Sequence, residues 1–444
     1  MTETEERNNM MNVNRRVFLK QGALAYVCMG MGPFWGPRFL RETAFAADLG
    51  SSTSNKILIC IFQRGAVDGL SMVVPYGDPY YYQARTDIAL AQPSQGAGAN
   101  GVLDLDGYFG FNPALAPLLP LYQQGHLAAI QACGSPNASR SHFESQDLME
   151  SGVDEDRSVA DGWLNRMLGC CPEDAAKKTA FRAVAMSATI PRSLQGEQDS
   201  LAIRDLDTFG LAGDTSVTLS GPSGTTNGFE SMYGAAVDTV LHGTARESFD
   251  ALDLLKQART TNYQPANGAA YPQGAFGRNL KQIAQLIKAN VGLQVAFAEV
   301  DGWDTHANQG NAKGQLATRL GGFAQALAAL HQDLGDRMAD VVVVTMSEFG
   351  RAVHQNGNRG TDHGHGTCFF AMGGPVKGGK VYGDWPTLAP DKLFQNRDLA
   401  ITTDFREVFG EITSRHFGVP MSAMPTLFPQ YAVDAQRFRN FCTA

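Results

Sequence analysis

The run Val341-Val342-Val343-Val344-Thr345-Met346 offers one hydroxyl among otherwise apolar side chains, so a strand built from it must be covered on both faces. A half-buried strand would alternate; this one does not. Four further runs have the same character: Lys56 to Phe62, Leu127 to Ala132, Phe181 to Met186 and Leu293 to Val300. Between them lie helical spacings. Leu280, Ile283, Leu286 and Ile287 share a face of the stretch Arg278 to Asn290, and Leu316, Leu320, Phe323, Leu327 and Leu330 share one of Gln315 to Leu334. The alternation predicts a doubly wound α/β fold, with a largely parallel central sheet and helices on both faces. Thr86 to Asn100 and Gly210 to Gly228, rich in Gly, Pro, Ser, Thr or Gln, read as loop insertions.

The first 46 residues stand outside this pattern. Asn14-Arg15-Arg16-Val17-Phe18-Leu19-Lys20 places an arginine pair before an apolar stretch from Gly22 to Trp35, and Ala44-Phe45-Ala46 offers a small-x-small cleavage site. This order predicts a twin-arginine signal peptide over residues 1–46, export by the twin-arginine translocase and a periplasmic location. Gly30, Gly32 and Pro33 interrupt the apolar stretch, so no stable membrane span is expected. The remainder, 47–444, is expected to form one α/β domain.

Cleavage removes six basic and four acidic residues, which leaves 30 Lys and Arg against 40 Asp and Glu. That balance, without a basic stripe interleaved with aromatics, excludes a nucleic-acid binder. Of the six cysteines then left, none stands in a CxxC pair, so a zinc ribbon is excluded too. Cys60, Cys133 and Cys368 sit in apolar, strand-like runs and read as buried small hydrophobes. No GxGxxG follows a strand and no CxxCH occurs, so neither a dinucleotide site nor covalent haem is indicated.

Chemistry concentrates in Gly302-Trp303-Asp304-Thr305-His306, Ser347-Glu348-Phe349-Gly350-Arg351 and Thr361-Asp362-His363-Gly364-His365-Gly366. Glu348 begins where the strand Val341 to Met346 ends, Asp304 and His306 follow the strand ending at Val300, and Asp68 follows the strand ending at Phe62. These acids therefore gather at the carboxyl edge of the sheet, where open α/β folds hold their ligands. Carboxylates brought together repel one another unless a cation sits among them. Asp68, Asp304, His306, Glu348, Asp362, His363 and His365 form the candidate ligand set, and such mixed donors suit zinc or manganese better than calcium. Each histidine taken singly is more often a hydrogen-bonded surface residue; the weight lies in their grouping.

A second cluster follows the strand Leu127 to Ala132. Pro136 to Glu144 leads into a short helix over Gln146 to Gly152, which puts the Ser141 hydroxyl at a helix start. Ser141 is either a nucleophile favoured by the helix dipole or an ordinary N-cap, with Ser139 in reserve. Arg140 either holds an oxyanion or pairs with an acid, and Arg64 and Arg351, which also follow strands, carry the same two possibilities.

With Arg64-Gly65-Ala66-Val67-Asp68-Gly69-Leu70, Ser139-Arg140-Ser141-His142-Phe143, the three clusters above, Gly373-Gly374 and Val376-Lys377-Gly378-Gly379 in this order, the chain resembles the exported bacterial family called domain of unknown function 1501. The resemblance covers nearly all of residues 47–444. It implies an alkaline-phosphatase-like and sulfatase-like fold with one or two metal ions and a hydroxyl or modified-cysteine nucleophile. Asp68 would then be the aspartate after the first strand, Ser141 the nucleophile, Asp304 and His306 ligands of one metal, and His363 or His365 the final histidine. Phe349 stands where that superfamily has a histidine, so Glu348 is left without its usual partner. The spacing of Asp304 and His306 also departs from Asp-x-x-x-His. The resulting expectation is a metal-dependent hydrolase of phosphate or sulfate esters, with Arg64 or Arg140 on the ester oxygens. The alternative is a protein of the same fold that binds an anionic or cell-envelope ligand without turnover.

Overall fold

The computed structural model describes residues 56–93, 100–155, 158–171, 179, 181–206 and 263–443. Residues 1–46, read as a signal peptide, and Gly210 to Gly228, read as a loop insertion, lie outside the described residues.

The strands, in chain order, are β1 (Ile57–Gln63), β2 (Val73–Val74), β3 (Leu103–Asp104), β4 (Gly110–Phe111), β5 (Leu127–Gly134), β6 (Ala183–Ala185), β7 (Leu201–Ala202), β8 (Val295–Val300), β9 (Val341–Met346), β10 (Thr367–Gly373), β11 (Val381–Tyr382) and β12 (Thr403–Asp404). Among the described residues, helices of eight residues or more are α1 (His142–Ser151), α2 (Trp163–Cys170), α3 (Ala275–Lys288), α4 (Gln315–Leu334) and α5 (Phe405–Phe417). All five apolar runs are strands, and both amphipathic stretches are helices.

The large sheet runs β11-β5-β10-β9-β1-β8-β6-β7, with β12 also beside β5, and a small sheet joins β2, β4 and β3. In the large sheet β10 alone runs against its neighbours, antiparallel to both β9 and β5. The reason is the connection before it. Residues 347–366 form no crossover helix, so the chain turns back beside β9. The carboxyl ends of β1, β5, β8 and β9 and the start of β10 therefore share one edge, with Gln63 level with Val300, Phe62 with Met346, and Cys133 with Thr367.

Side chains along β1 alternate between two cores. Ile57, Ile59 and Ile61 pack with Leu280 and Ile283 of α3 and Leu320, Phe323 and Leu327 of α4. Leu58, Cys60 and Phe62 pack on the other face with Trp163 and Met167 of α2 and Phe409 and Ile412 of α5. Burial on both faces is what the unbroken apolar runs require. Cys60, Cys133 and Cys368 are buried free thiols, and Cys170 and Cys171, at the end of α2, are also free.

Helix α1 starts four residues before the stretch read from sequence, because nothing between His142 and Ser151 breaks it: there is no Gly or Pro. Ser141 is its N-cap residue, but its side chain makes no capping hydrogen bond.

Candidate metal centre

Five segments reach the shared edge, and backbone hydrogen bonds lace three of them together. Thr361 N donates to Thr305 O at 3.2 Å, Ala352 N to Asp362 O at 2.8 Å, and Gly350 N to His365 O at 2.7 Å. The segment carrying Asp304 and His306 is thereby held against the one carrying Asp362 and His363. Gly364 is necessary to this closeness, since a Cβ there would stand 2.3 Å from the carbonyl carbon of Arg351.

Three imidazoles meet at the centre. His363 Nε2 lies 3.0 Å from His142 Nε2 and 3.0 Å from His306 Nε2. Asp304 adjoins all three, with Oδ1 2.9 Å from His306 Nε2 and 3.2 Å from His363 Nε2, and Oδ2 3.6 Å from His142 Nε2. The group opens to solvent on the side of Asp304 and His306, whose side chains are 40% and 44% exposed.

The outer nitrogens decide the tautomers. His363 Nδ1 faces the Arg140 carbonyl oxygen at 2.9 Å, which can only accept, so Nδ1 carries the hydrogen. His142 Nδ1 faces Glu348 Oε1 at 2.8 Å, and His306 Nδ1 faces Asp362 Oδ1 at 3.3 Å. Each neutral ring thus turns an Nε2 lone pair inward. Lone pairs facing one another at 3.0 Å repel, and a cation among them removes the conflict. Donors on a tetrahedral zinc, at bond lengths near 2.0–2.1 Å, are about 3.3 Å apart. His142, His363 and Asp304 have donor atoms all within 4.8 Å of one another and are the residues suited to hold a divalent metal, with His306 alongside His363 and Asp304.

Charges around the group are balanced locally. The hydrogen bond and charge of Glu348 raise the His142 pKa. Burial and the neighbouring His142 and Arg351 lower that of His363, against the opposing Arg140 carbonyl bond. Burial works to raise the Asp304 pKa, but Arg351, whose Nη1 donates to Oδ1 at 2.5 Å, brings it below the usual carboxylate range. Arg351 is itself buried and also donates to Thr361. The ring of Phe349 sits 5.0 Å from His142 and 5.1 Å from His363 and packs against the cluster.

The remaining residues singled out from sequence fall into other roles. Glu348 is buried, with Oε1 accepting from Gly65 N, Gln146 Nε2 and His142 Nδ1 and Oε2 accepting from Ser347 Oγ, so it orients His142 with both oxygens engaged. Asp362 accepts from Asn356 and His306. Asp68 is not in the cluster: it is fully buried in a two-pronged ion pair with Arg85, at 2.7 and 3.0 Å, and accepts from Gln309. Burial would raise its pKa, yet Arg85 lowers it. A carboxylate so neutralised has no charge left for a metal. His365 also stands apart, stacked on Phe394 at 3.9 Å, with burial bringing its imidazole down to about 4.

Arg64 holds Glu299, Gln146 and Glu150 with one bond from each of its three nitrogens, so it is a clamp between β1, β8 and α1. Arg140 pairs with buried Asp398. The Ser139 hydroxyl donates to Glu144, whereas the hydroxyl of exposed Ser141 makes no capping hydrogen bond and has no partner among the described residues. The sequence reading gave no role to His142. Its only local signal is an imidazole at the first turn of the helix that follows β5.

The family model described as "Protein of unknown function (DUF1501)" matches residues 124–427, more than half of the chain. The chain belongs to that family. The matched span includes His142, Asp304, His306, Glu348, Asp362 and His363, and it leaves out β1 with Arg64 and Asp68. No curated protein matches the chain. Among solved structures, the PsFucS1 sulfatase from Pseudoalteromonas sp. is similar over 96% of this chain and 77% of its own, at 10% identity and a TM-score of 0.39. A likeness that loose gives no residue correspondence. Among the described residues, no helix is long and apolar enough to cross a membrane.

Proposed function

We propose that this protein is a metal-dependent hydrolase of phosphate or sulfate esters, exported through the twin-arginine pathway to the periplasm. The observation that carries the reading is the inward convergence of three imidazole Nε2 atoms beside Asp304, each ring fixed from behind by an acceptor on Nδ1. His142, His306, His363 and Asp304 would hold one divalent cation, zinc or manganese. When bound there, the cation supplies a Lewis acid for an ester oxygen.

The chain's own residues do the rest. Glu348 and Asp362 keep their imidazoles in the liganding tautomer. Arg351 fixes Asp304 from the buried side. Ser141, next to His142 and with an uncommitted hydroxyl, is the candidate nucleophile at the start of α1. A second reading, binding of an anionic or cell-envelope ligand without turnover, is favoured by Phe349, which packs the cluster without acting as a ligand.

The test is elemental analysis of protein purified without chelator, together with a panel of aryl phosphate and aryl sulfate esters. A stoichiometric cation, and hydrolysis abolished by Asp304→Ala, is the expected result. Absence of the cation, with Asp304→Ala indistinguishable from wild type, would sink the proposal. Stoichiometric metal with silence across the panel would move the assignment to the binding reading.

A further inference from the structure

Two guanidinium groups, those of Arg140 and Arg397, share the carboxylate of Asp398. Asp398 is buried, and its Oδ2 accepts from Arg140 Nη2 at 2.5 Å and from Arg140 Nε at 3.1 Å. Arg397 Nη1 lies 3.3 Å from Asp398 Oδ1. Two positive charges therefore face one negative charge. The carboxylate of Asp362, also near Arg397, is engaged by Asn356 and His306.

Both arginines hold His363 through the backbone. The Arg140 carbonyl accepts from His363 Nδ1 at 2.9 Å, and Arg397 Nη1 donates to the His363 carbonyl at 2.8 Å. Both arginines thus touch His363, Arg140 through its own carbonyl and Arg397 through its guanidinium on the His363 carbonyl. Donor capacity remains on the exposed side. Among the described residues Arg397 engages the protein through Nη1 only, which leaves its Nε and Nη2 without partners there, and its side chain is 40% exposed. Arg140 uses Nε and Nη2, also donating to Gln395, and keeps Nη1. The other arginines at this edge differ: every nitrogen of Arg64 already has a protein acceptor, and Arg351 is buried.

We infer that Arg397, with Arg140, forms an oxyanion subsite that recognises the phosphate or sulfate group of the substrate. The inference rests on the proposed ester hydrolysis for its setting. It adds the residue that selects an anionic group, since a planar fork of unspent N–H donors matches tetrahedral oxyanions. Arg397 is about 250 residues from α1 in sequence, and only the fold sets the two guanidiniums on either side of Asp398.

The experiment is calorimetric titration of inorganic phosphate and inorganic sulfate into the full chain, in metal-loaded and chelator-treated forms. Wild type, Arg397→Gln and Arg397→Lys are compared, with circular dichroism and elemental analysis of each. The expected result is a loss of roughly tenfold or more in anion affinity for Arg397→Gln in both forms, because a charge-assisted donor is removed. Arg397→Lys should fall between the two, keeping the charge and losing the fork. Metal content should not change. Anion affinity equal to wild type in Arg397→Gln, or no oxyanion binding by wild type in either form, overturns the subsite. If the protein holds no metal and Arg397→Gln still weakens binding, the subsite stands and the metal reading falls. If metal is stoichiometric and Arg397→Gln has no effect, the subsite falls and the metal reading stands.

Discussion

His142 Nδ1 lies 2.8 Å from Glu348 Oε1, although 206 residues separate them in sequence. This contact joins the start of α1 to the end of β9. It fixes which nitrogen of His142 faces the cluster, and so gives Glu348 a task without making it a ligand.

Glu348→Gln keeps an oxygen for the His142, Gln146 and Gly65 donors but removes the charge. Loss of such a partner behind a liganding histidine typically costs about 10–100-fold in metal affinity. Competition with a chromogenic chelator should show a decrease of that order, with the thermal midpoint of the chelated protein little changed. Unchanged metal affinity would mean that Glu348 does not orient the ring.

Asp68 and Asp304 should separate structure from binding. Asp68→Asn breaks a fully buried ion pair with Arg85, a change that costs about 3–5 kcal/mol. The folded fraction should nevertheless carry as much metal as wild type. Asp304→Asn should do the reverse, since it keeps an acceptor for Arg351 and loses the charged ligand. Chemical denaturation and elemental analysis of both variants check the pair. Metal loss in Asp68→Asn alone would return Asp68 to the centre.

Gly364→Ala sets a methyl group against the Arg351 backbone and must force apart the segments bearing Glu348 and His363. Overpacking of this kind costs about 1–3 kcal/mol, and the displaced His363 should weaken metal binding as well. Gly357→Ala is the control, because a Cβ there meets nothing within 4 Å. Equal stability of the two variants in urea would contradict the close approach.

A pH effect should arise away from the site. Burial brings the His416 imidazole down to about 4, while its Nε2 stands 3.2 Å from the Ile57 carbonyl. An unfolded histidine titrates near 6.5. Below that pH the unfolded chain takes up a proton that the fold refuses, so stability falls as pH drops from about 6.5 towards about 4. Above about 6.5 this group has no further effect. The full contribution is about 3 kcal/mol. Urea denaturation of chelated protein at several pH values should show the decline, and His416→Gln, which can still donate to Ile57 O, should make it shallower, leaving the share of His365, which burial also brings down to about 4. An equal slope in the variant would rule His416 out as the cause.

The amino-acid sequence determined what each segment needs locally. Five runs without polar alternation had to be strands covered on both faces, and α4 spans the residues 315–334 read from its apolar spacing. From these followed the sheet edge, and on it Asp304, His306 and Glu348. Burial of apolar surface is a local demand, so it leaves a periodic trace along the chain.

The antiparallel course of β10 was not legible, because it depends on a connection that contains no helix. Nor was the division of labour among the charged residues. Asp68 and Asp304 are alike in sequence, but Arg85 neutralises one in the interior, while Arg351 holds the other at the edge beside three imidazoles. His142 and His363 meet across 221 residues. Electrostatic partners are chosen by proximity in space, and the intensity of a charge depends on what else is buried with it. Only the folded chain fixes both.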